Sequence, residues 1–246
     1  MSSTAVSFKI VPRLVPVAIL VAAGFLLRSL EPRAQIPTRL RTEQLSIVSG
    51  HGGVLAWLGG LRSALASACW LRANLAWERR DVAETRALIE LTVALDERPL
   101  YFWLNGARIL ACDLPAWRLD GVVAPESWRA QVNEEQAQQA LRLLAKGLRW
   151  HGPDAALYIE IANIHLRRRN DLDAAARYYR LAAEQPGAPR YAARIHAELL
   201  RELGRRDEAL TWLRQILPGL DSGDPLARRD IVLDRIATLE QELAVR

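Results

Sequence analysis

The chain has 246 residues, half of them apolar and a quarter charged, and its formal net charge is +5. This composition excludes a wholly disordered, collagen-like or multi-span membrane protein, and it allows one or two domains with a hydrophobic core. Residues 1–43 carry +4 of the net charge, and the remaining residues carry only +1. The nearly neutral body argues against nucleic-acid binding, which needs a wide basic surface.

Residues 14–27, LVPVAILVAAGFLL, form an uncharged apolar segment near the N-terminus. Residues 10–30 are long enough to cross a bilayer if Arg13 and Arg28 extend their charges to the two interfaces. No cleavage site rich in small residues follows, and Phe25 rather than a cysteine follows Gly24. We therefore favour an uncleaved membrane anchor at 1–31 over a cleaved signal peptide or a buried soluble helix. Residues 32–53, which include Pro37, are expected to form an extended linker.

The orientation of this anchor is ambiguous from the sequence. Basic residues flank the apolar segment on both sides, and a strict count of them places the body in the cytoplasm. The short basic tail before an apolar core is typical of exported proteins. We expect a single-pass protein of the inner cell membrane with a periplasmic body, and the cytoplasmic side remains open.

From Val54 onward the apolar residues recur with helical spacing, and no alternating run indicates a strand. The sequence therefore predicts an all-α body. Its C-terminal half contains an internal repeat of 34 residues. Ala175, Tyr179 and Ala182 in one copy correspond to Ala209, Leu213 and Ile216 in the next. The preceding segments 161–165 and 196–200 also correspond, as do the turns at 169–171 and 204–206.

These features resemble the tetratricopeptide repeat (TPR) family, in which 34-residue helical hairpins stack into a solenoid. The copy at 190–223 has the family's small residue at Ala197, its turn glycine at Gly204 and its alanine at Ala209. The copy at 155–188 has Ala162 and Ala175, with Asn170 and one extra residue in the turn. Two degenerate copies precede them, at 67–95 and at 100–150, the latter interrupted by an insertion at 112–133. The resemblance implies a solenoid of about four units over 54–223.

Residues 224–246 are expected to form a C-terminal capping helix, with Asp224 as N-cap and Pro225 at the first position. Leu233, Ile236 and Leu239 form its apolar stripe. Such a helix covers the open face of the last repeat. An oligomerising helix is the alternative.

No catalytic, metal-binding or cofactor motif is present. The sequence lacks the nucleophile, phosphate-loop, dinucleotide and zinc-protease patterns, and its two cysteines, Cys69 and Cys112, are far apart in sequence. His165 and His196 occupy repeat positions that are expected to pack in the core. The basic run 167–169 fits a helix C-terminus, with contact to anionic lipid as the alternative. We therefore expect no enzyme, no metal and no cofactor.

The TPR resemblance implies a protein-binding groove lined by the first helix of each hairpin. Carrying over its positions gives eleven side chains, which mix aromatic rings, amides and arginines and suit a peptide that bears carboxylates. They are Trp70, Asn74, Trp77, Tyr101, Arg108, Asn163, Arg167, Tyr191, Arg194, Glu198 and Arg201. The insertion, with Trp117 and Trp128, is expected to cap this groove or to dock a partner.

The resulting expectation is a membrane-anchored scaffold that binds a protein partner, either a peptide or a helix. The alternative is an intrinsic accessory subunit of a membrane transporter or secretion complex. In that case the anchor itself packs on partner helices, and the repeats are structural.

Overall fold

The computed structural model describes residues 51–220, 223–224 and 227–244, with side chains from Gly60 onward. The chain divides into two compact units, residues 1–62 and residues 63–246. The described part of the first unit is the beginning of one helix. In the described residues every regular element is helical, and no strand occurs. The all-α prediction is confirmed.

Ten α-helices, a π-helical segment and a 3₁₀ turn make up the described residues. The helices are α1 His51–Glu78, α2 Val82–Leu95, α3 Leu100–Arg108, α4 Leu114–Leu119, α5 Glu126–His151, α6 Ala155–Arg168, α7 Leu172–Ala183, α8 Arg190–Glu202, α9 Arg206–Ile216 and α10 Arg229–Ala244. The π-helical segment is Ile109–Asp113, and the 3₁₀ turn is Leu217–Gly219. Helices that follow one another from α5 to α10 pack together in antiparallel hairpins, which is compatible with a helical repeat fold.

Three hairpin turns share one backbone geometry. In each, a residue with positive φ follows the first helix, and the next residue donates its backbone N–H to a carbonyl five or six residues earlier. The positive-φ residues are Arg80, Asn170 and Gly204, at 56°, 52° and 75°. The donors and acceptors are Asp81 to Ala76, Asp171 to His165 and Arg205 to Leu200, at 2.9–3.0 Å. The longer span at Asp171 accommodates the extra residue that the sequence shows in that turn.

Small residues lie where helices approach most closely. Ala162, Ala175 and Ala209 are fully buried, and Ala197 is nearly so. Tyr179 and Leu213 fill the adjacent space. His165 and His196 are buried as predicted; His165 stacks on Tyr178, and the Nδ1 atom of His196 lies 2.8 Å from the carbonyl oxygen of Ala176. The periodic positions of the sequence therefore form the core of these hairpins.

Residues 112–133, the predicted insertion, are mostly helical. Helical backbone continues from α3 through the π-helical segment into α4, and α5 begins at Glu126 instead of the predicted Glu134. Pro115 lies in the first turn of α4, where its missing N–H costs little, and the π-helical segment precedes it. Residues 120–125 form the short non-helical connection between α4 and α5.

The last helix begins at Arg229, later than the predicted start at Pro225. Arg228, directly before it, has a φ of 46°, and Asp224 accepts a turn hydrogen bond from the N–H of Ala227. The helix buries Val232, Ile236 and Leu239 against Leu213 and its neighbours in α8 and α9. Leu233, which was assigned to the apolar stripe, is 45% exposed.

No helix in the described part of the chain is long and apolar enough to cross a membrane. The predicted anchor, residues 10–30, and most of the linker lie outside the described residues. Both cysteines carry free thiols.

Candidate functional site

The first groove positions, on α1, are already engaged within the protein. Trp70 is buried and packs against Phe102 and the ring of Tyr101. Asn74 donates its side-chain amide to the carbonyl of Trp70 in the preceding turn. Trp77 donates its indole N–H to Asp113 at 2.8 Å. Trp70 and Trp77 therefore support packing between helices, and the amide of Asn74 is bonded within α1.

Four further predicted groove residues also have internal partners. Asn163 accepts a hydrogen bond from the hydroxyl of Tyr179 at 2.7 Å. Arg194 donates to the backbone carbonyl of Ala227, which precedes α10. Glu198 forms ion pairs with Arg201 on its own helix and with Arg235 on α10. These contacts hold the second helix of one hairpin to the first, and α10 to α8.

Apart from Trp77, which is 39% exposed but bonded to Asp113, four of the predicted positions present an exposed side chain. Tyr101 is 56% exposed and Tyr191 is 43% exposed. Arg108 and Arg167 are also largely exposed. Arg167 forms no ion pair within the part of the chain that the structure describes. These four residues come from the first helices of three successive hairpins and are the ones available to a ligand.

A buried carboxylate lies beneath this exposed set. Glu160 on α6 is only 5% exposed, and the Nε atom of Arg108 lies 2.8 Å from its Oε2 atom. The pair links α3 to α6 and fixes the guanidinium of Arg108. Arg108 is thus balanced by Glu160, whereas Arg167 has no ion-pair partner in the described residues.

Electrostatic effects on Tyr179 show that these groups lie near one another. Burial raises the pKa of the Tyr179 hydroxyl above its usual value, and Tyr191 and Glu160 act in the same direction. The positive charge of Arg167 opposes this rise. Residues from α6, α7 and α8 therefore contribute to one polar neighbourhood.

Two adjoining cavities extend along the first helices and have Tyr191 in common. The larger, of about 400 Å³, is lined by Leu104, Arg108, Ile159, Tyr191 and the turn 185–189. The smaller, of about 270 Å³, lies between α8 and α10 and is lined by Tyr191, Arg194, Glu198, Ile231 and Arg235. Both are open to solvent. Arg167 lines neither cavity and lies about two turns after Ile159 on α6. We call the two cavities, together with the exposed Arg167, the first-helix groove.

The segment that was predicted to be an insertion contributes differently from expectation. Trp117 packs against Trp77, with ring centroids 6.1 Å apart, so it covers the end of α1. Trp128 is half-buried on α5. Neither residue lines the two cavities of the first-helix groove.

Three groove features escaped sequence reasoning. Glu160 was not singled out, because nothing in the sequence connects it to Arg108, 52 residues away. Ile231 and Arg235 belong to α10, which was expected to cover the last hairpin and not to border a groove. Glu198 was already among the predicted groove residues, and its negative charge was a sign that a positive partner lies near it; that partner is Arg235.

In the described residues, no group of three or more histidine, cysteine, aspartate or glutamate side chains is arranged to hold a metal ion. No family model matches the sequence, and no curated protein matches it significantly.

Proposed function

We propose that this protein is a membrane-anchored, TPR-like scaffold that holds a protein partner in the first-helix groove. The observation that carries the proposal is that Arg167 and Tyr191 stay exposed on successive first helices, with Arg108, exposed but paired with Glu160, on the first helix before them. Such a surface supports binding of an extended segment better than binding of a small molecule, because both cavities are open and share Tyr191.

The chemistry of the groove favours a partner segment that carries carboxylates next to an apolar or aromatic side chain. The guanidinium of Arg167 has donors available for a bidentate bond to a carboxylate. Tyr191 offers an aromatic face between the two cavities, and Ile159 and Ile231 supply apolar contact on either side. Tyrosine and arginine are the residue types that most often dominate binding energy at protein interfaces.

The remainder of the proposal concerns location. We propose that residues 10–30 anchor the protein in the inner membrane as a single span, with the body on the periplasmic side. The support is the uncharged apolar segment 14–27 and the basic residues that flank it. Such an anchor keeps the groove, and therefore the partner, close to the bilayer. Protease protection of residues 32–42 in sealed membranes tests the side on which the body lies.

The groove is tested by affinity capture from detergent extracts of native membranes. The variant Arg167→Ala/Tyr191→Ala removes two exposed groove side chains, and we expect at least a tenfold loss of captured partner. The matched control is Arg149→Ala/Trp150→Ala, which removes an exposed arginine and an exposed aromatic residue from α5, outside the groove. We expect the control to capture the partner like the wild type.

Equal recovery by the groove variant and the wild type would contradict the groove assignment. Asn163 and Arg194 are poor targets for this test, because they bond to Tyr179 and to the backbone before α10. Their loss would loosen the packing of helices. Weaker capture of the partner would then reflect this loosened packing and not the loss of a groove contact.

A further inference from the structure

A third cavity, of about 410 Å³, lies between α7, α8 and α9. It is open to solvent and shares no lining residue with the two cavities of the first-helix groove. Ala176, Leu200 and Trp212 form its apolar part, and the rest of its lining is polar or charged. Its volume is within the range of about 300–1,000 Å³ that is usual for ligand sites. This cavity is therefore a second candidate site, separate from the groove.

A buried histidine gives this cavity an unused hydrogen-bond acceptor. His196 is only 5% exposed, and its Nδ1 atom carries the proton because it lies 2.8 Å from the carbonyl oxygen of Ala176, which can only accept. Burial lowers the pKa of His196, so the ring is neutral near pH 7 and its Nε2 atom keeps a lone pair. Nε2 has no hydrogen-bond partner among the described residues, and it is not sealed from solvent. A ligand group that reaches Nε2 must therefore donate a hydrogen bond.

The arginines that line the cavity are already paired with carboxylates. The pairs are Arg177–Asp173, Arg180–Glu184 and Arg205–Glu208, at 3.5, 2.9 and 2.6 Å. An anionic ligand would have to compete with these carboxylates, whereas a neutral ligand can use the N–H donors that each guanidinium keeps. Asp207 adds a carboxylate that forms no ion pair in the part of the chain that the structure describes, and Gln215 adds an exposed amide. The cavity thus offers both donors and acceptors, and none of its arginines is free of a carboxylate partner.

We propose that this cavity binds a neutral oligosaccharide. A hydroxyl group both donates and accepts, so neighbouring sugar hydroxyls can donate to His196 and Asp207 and accept from the arginines. An ammonium group only donates and a carboxylate only accepts, so either would leave half of this lining unmatched. The apolar C–H face of a sugar ring suits Leu200 and Trp212. Because the cavity is open, a chain of sugars can extend beyond it into solvent.

Isothermal titration calorimetry of the full chain, in a detergent without a sugar headgroup, tests this site. The probes are the neutral tetrasaccharides cellotetraose, maltotetraose and tetra-N-acetylchitotetraose, and we expect saturable binding of at least one. Arg177→Leu/Gln215→Ala removes two exposed polar side chains from the cavity and should weaken this binding at least tenfold. The matched control Arg142→Leu, at an exposed arginine of α5 outside the cavity, should bind like the wild type. Absence of binding for all three probes, or equal binding by the cavity variant, overturns the proposal.

Two further titrations test the chemistry of the site. In His196→Asn the amide nitrogen takes the place of Nδ1, so the bond to Ala176 is kept while the acceptor at Nε2 is lost, and we expect at least tenfold weaker binding. The acidic sugar tetragalacturonate should bind no more tightly than the neutral probe, because the arginines are already paired. Undiminished binding by His196→Asn, or tighter binding of the acidic sugar, overturns the proposal. None of these results depends on the groove partner.

Discussion

The hairpins α6–α7 and α8–α9 are regular, whereas residues 63–151 build their hairpins irregularly. In the regular region both hairpins have helices of 11 to 14 residues and buried alanines at the contacts. In the irregular region the corresponding helices have 28, 14, 9 and 26 residues, and a π-helical segment interrupts one of them.

Both regions bury alanines at helix contacts, such as Ala162 and Ala175 in the regular region and Ala107 and Ala140 in the irregular one. The irregular region adds other close contacts, because Gly106 lies beneath Ile89 and a Cβ atom at Gly106 would lie 2.7 Å from the Cγ2 atom of Ile89. Thr85 is also buried there, and its hydroxyl has no hydrogen-bond partner among the described residues. The sequence repeats regularly where the contacts between helices are uniform. The repeat is lost where each helix contact is made by a different combination of residues.

The largest expected effect is at the regular contacts. Ala175→Leu adds three carbon atoms at a fully buried position between α7 and its neighbours. Because a packed core has no room for them, we expect a loss of about 2–3 kcal/mol in the free energy of unfolding. Urea denaturation measures it. Arg177→Leu, on the exposed side of the same helix, should change the stability by less than about 0.5 kcal/mol; a similar loss at both positions would contradict the packing model.

In the irregular region, we expect a substitution at Gly106 to lower the free energy of unfolding. Gly106→Ala pushes against Ile89, and the better helix propensity of alanine offsets part of the clash, so we expect a net loss of about 1–2 kcal/mol. Ile89→Leu removes the contacting Cγ2 methyl. The double variant Gly106→Ala/Ile89→Leu should therefore lose less than the sum of the two single variants. Strict additivity would show that this contact does not limit the approach of the helices.

The turns at Asn170 and Gly204 test whether the two regular hairpins have equivalent turns, with a smaller expected effect on stability. Gly204→Ala forces a Cβ atom into a residue with a φ of 75°, and we expect a loss of about 1 kcal/mol. At Asn170, with a φ of 52°, the substitution Asn170→Gly should be close to neutral, because both residues tolerate this conformation. Thermal unfolding distinguishes them. A large loss in Asn170→Gly would show that its side chain has a role that Gly204 lacks.

The smallest effect concerns the buried histidines of the regular region. Burial lowers the pKa of His165 and His196, so the unfolded chain takes up these protons first as the pH falls below about 6.5. Stability is therefore complete above that pH and decreases toward acid, by less than about 1 kcal/mol for each residue between pH 7 and 5.5. His196→Gln should flatten this pH dependence in urea denaturation, and a pH dependence that the substitution leaves unchanged would contradict this account.

The regular region was predictable because its pattern depends on local sequence. The 34-residue spacing identified Ala175, Ala209 and the turn at Asn170, and each has the structural role expected of it. The continuation of helix through residues 112–119 was not predicted, because the repeat pattern ends at Ala111 and no repeat position falls in this segment. The exposure of groove side chains was not predictable, since it depends on partners far away in sequence, such as Glu160 for Arg108 and Ala227 for Arg194.

The central claim, that the first-helix groove binds a protein partner, is tested most directly by site-specific photo-cross-linking in native membranes. A photoreactive phenylalanine analogue replaces either Tyr191 in the groove or the exposed Trp150 on α5. We predict a discrete cross-linked product at position 191 that the Arg167→Ala substitution abolishes, and no such product at position 150. Equal products at both positions, or none at position 191, would contradict the claim.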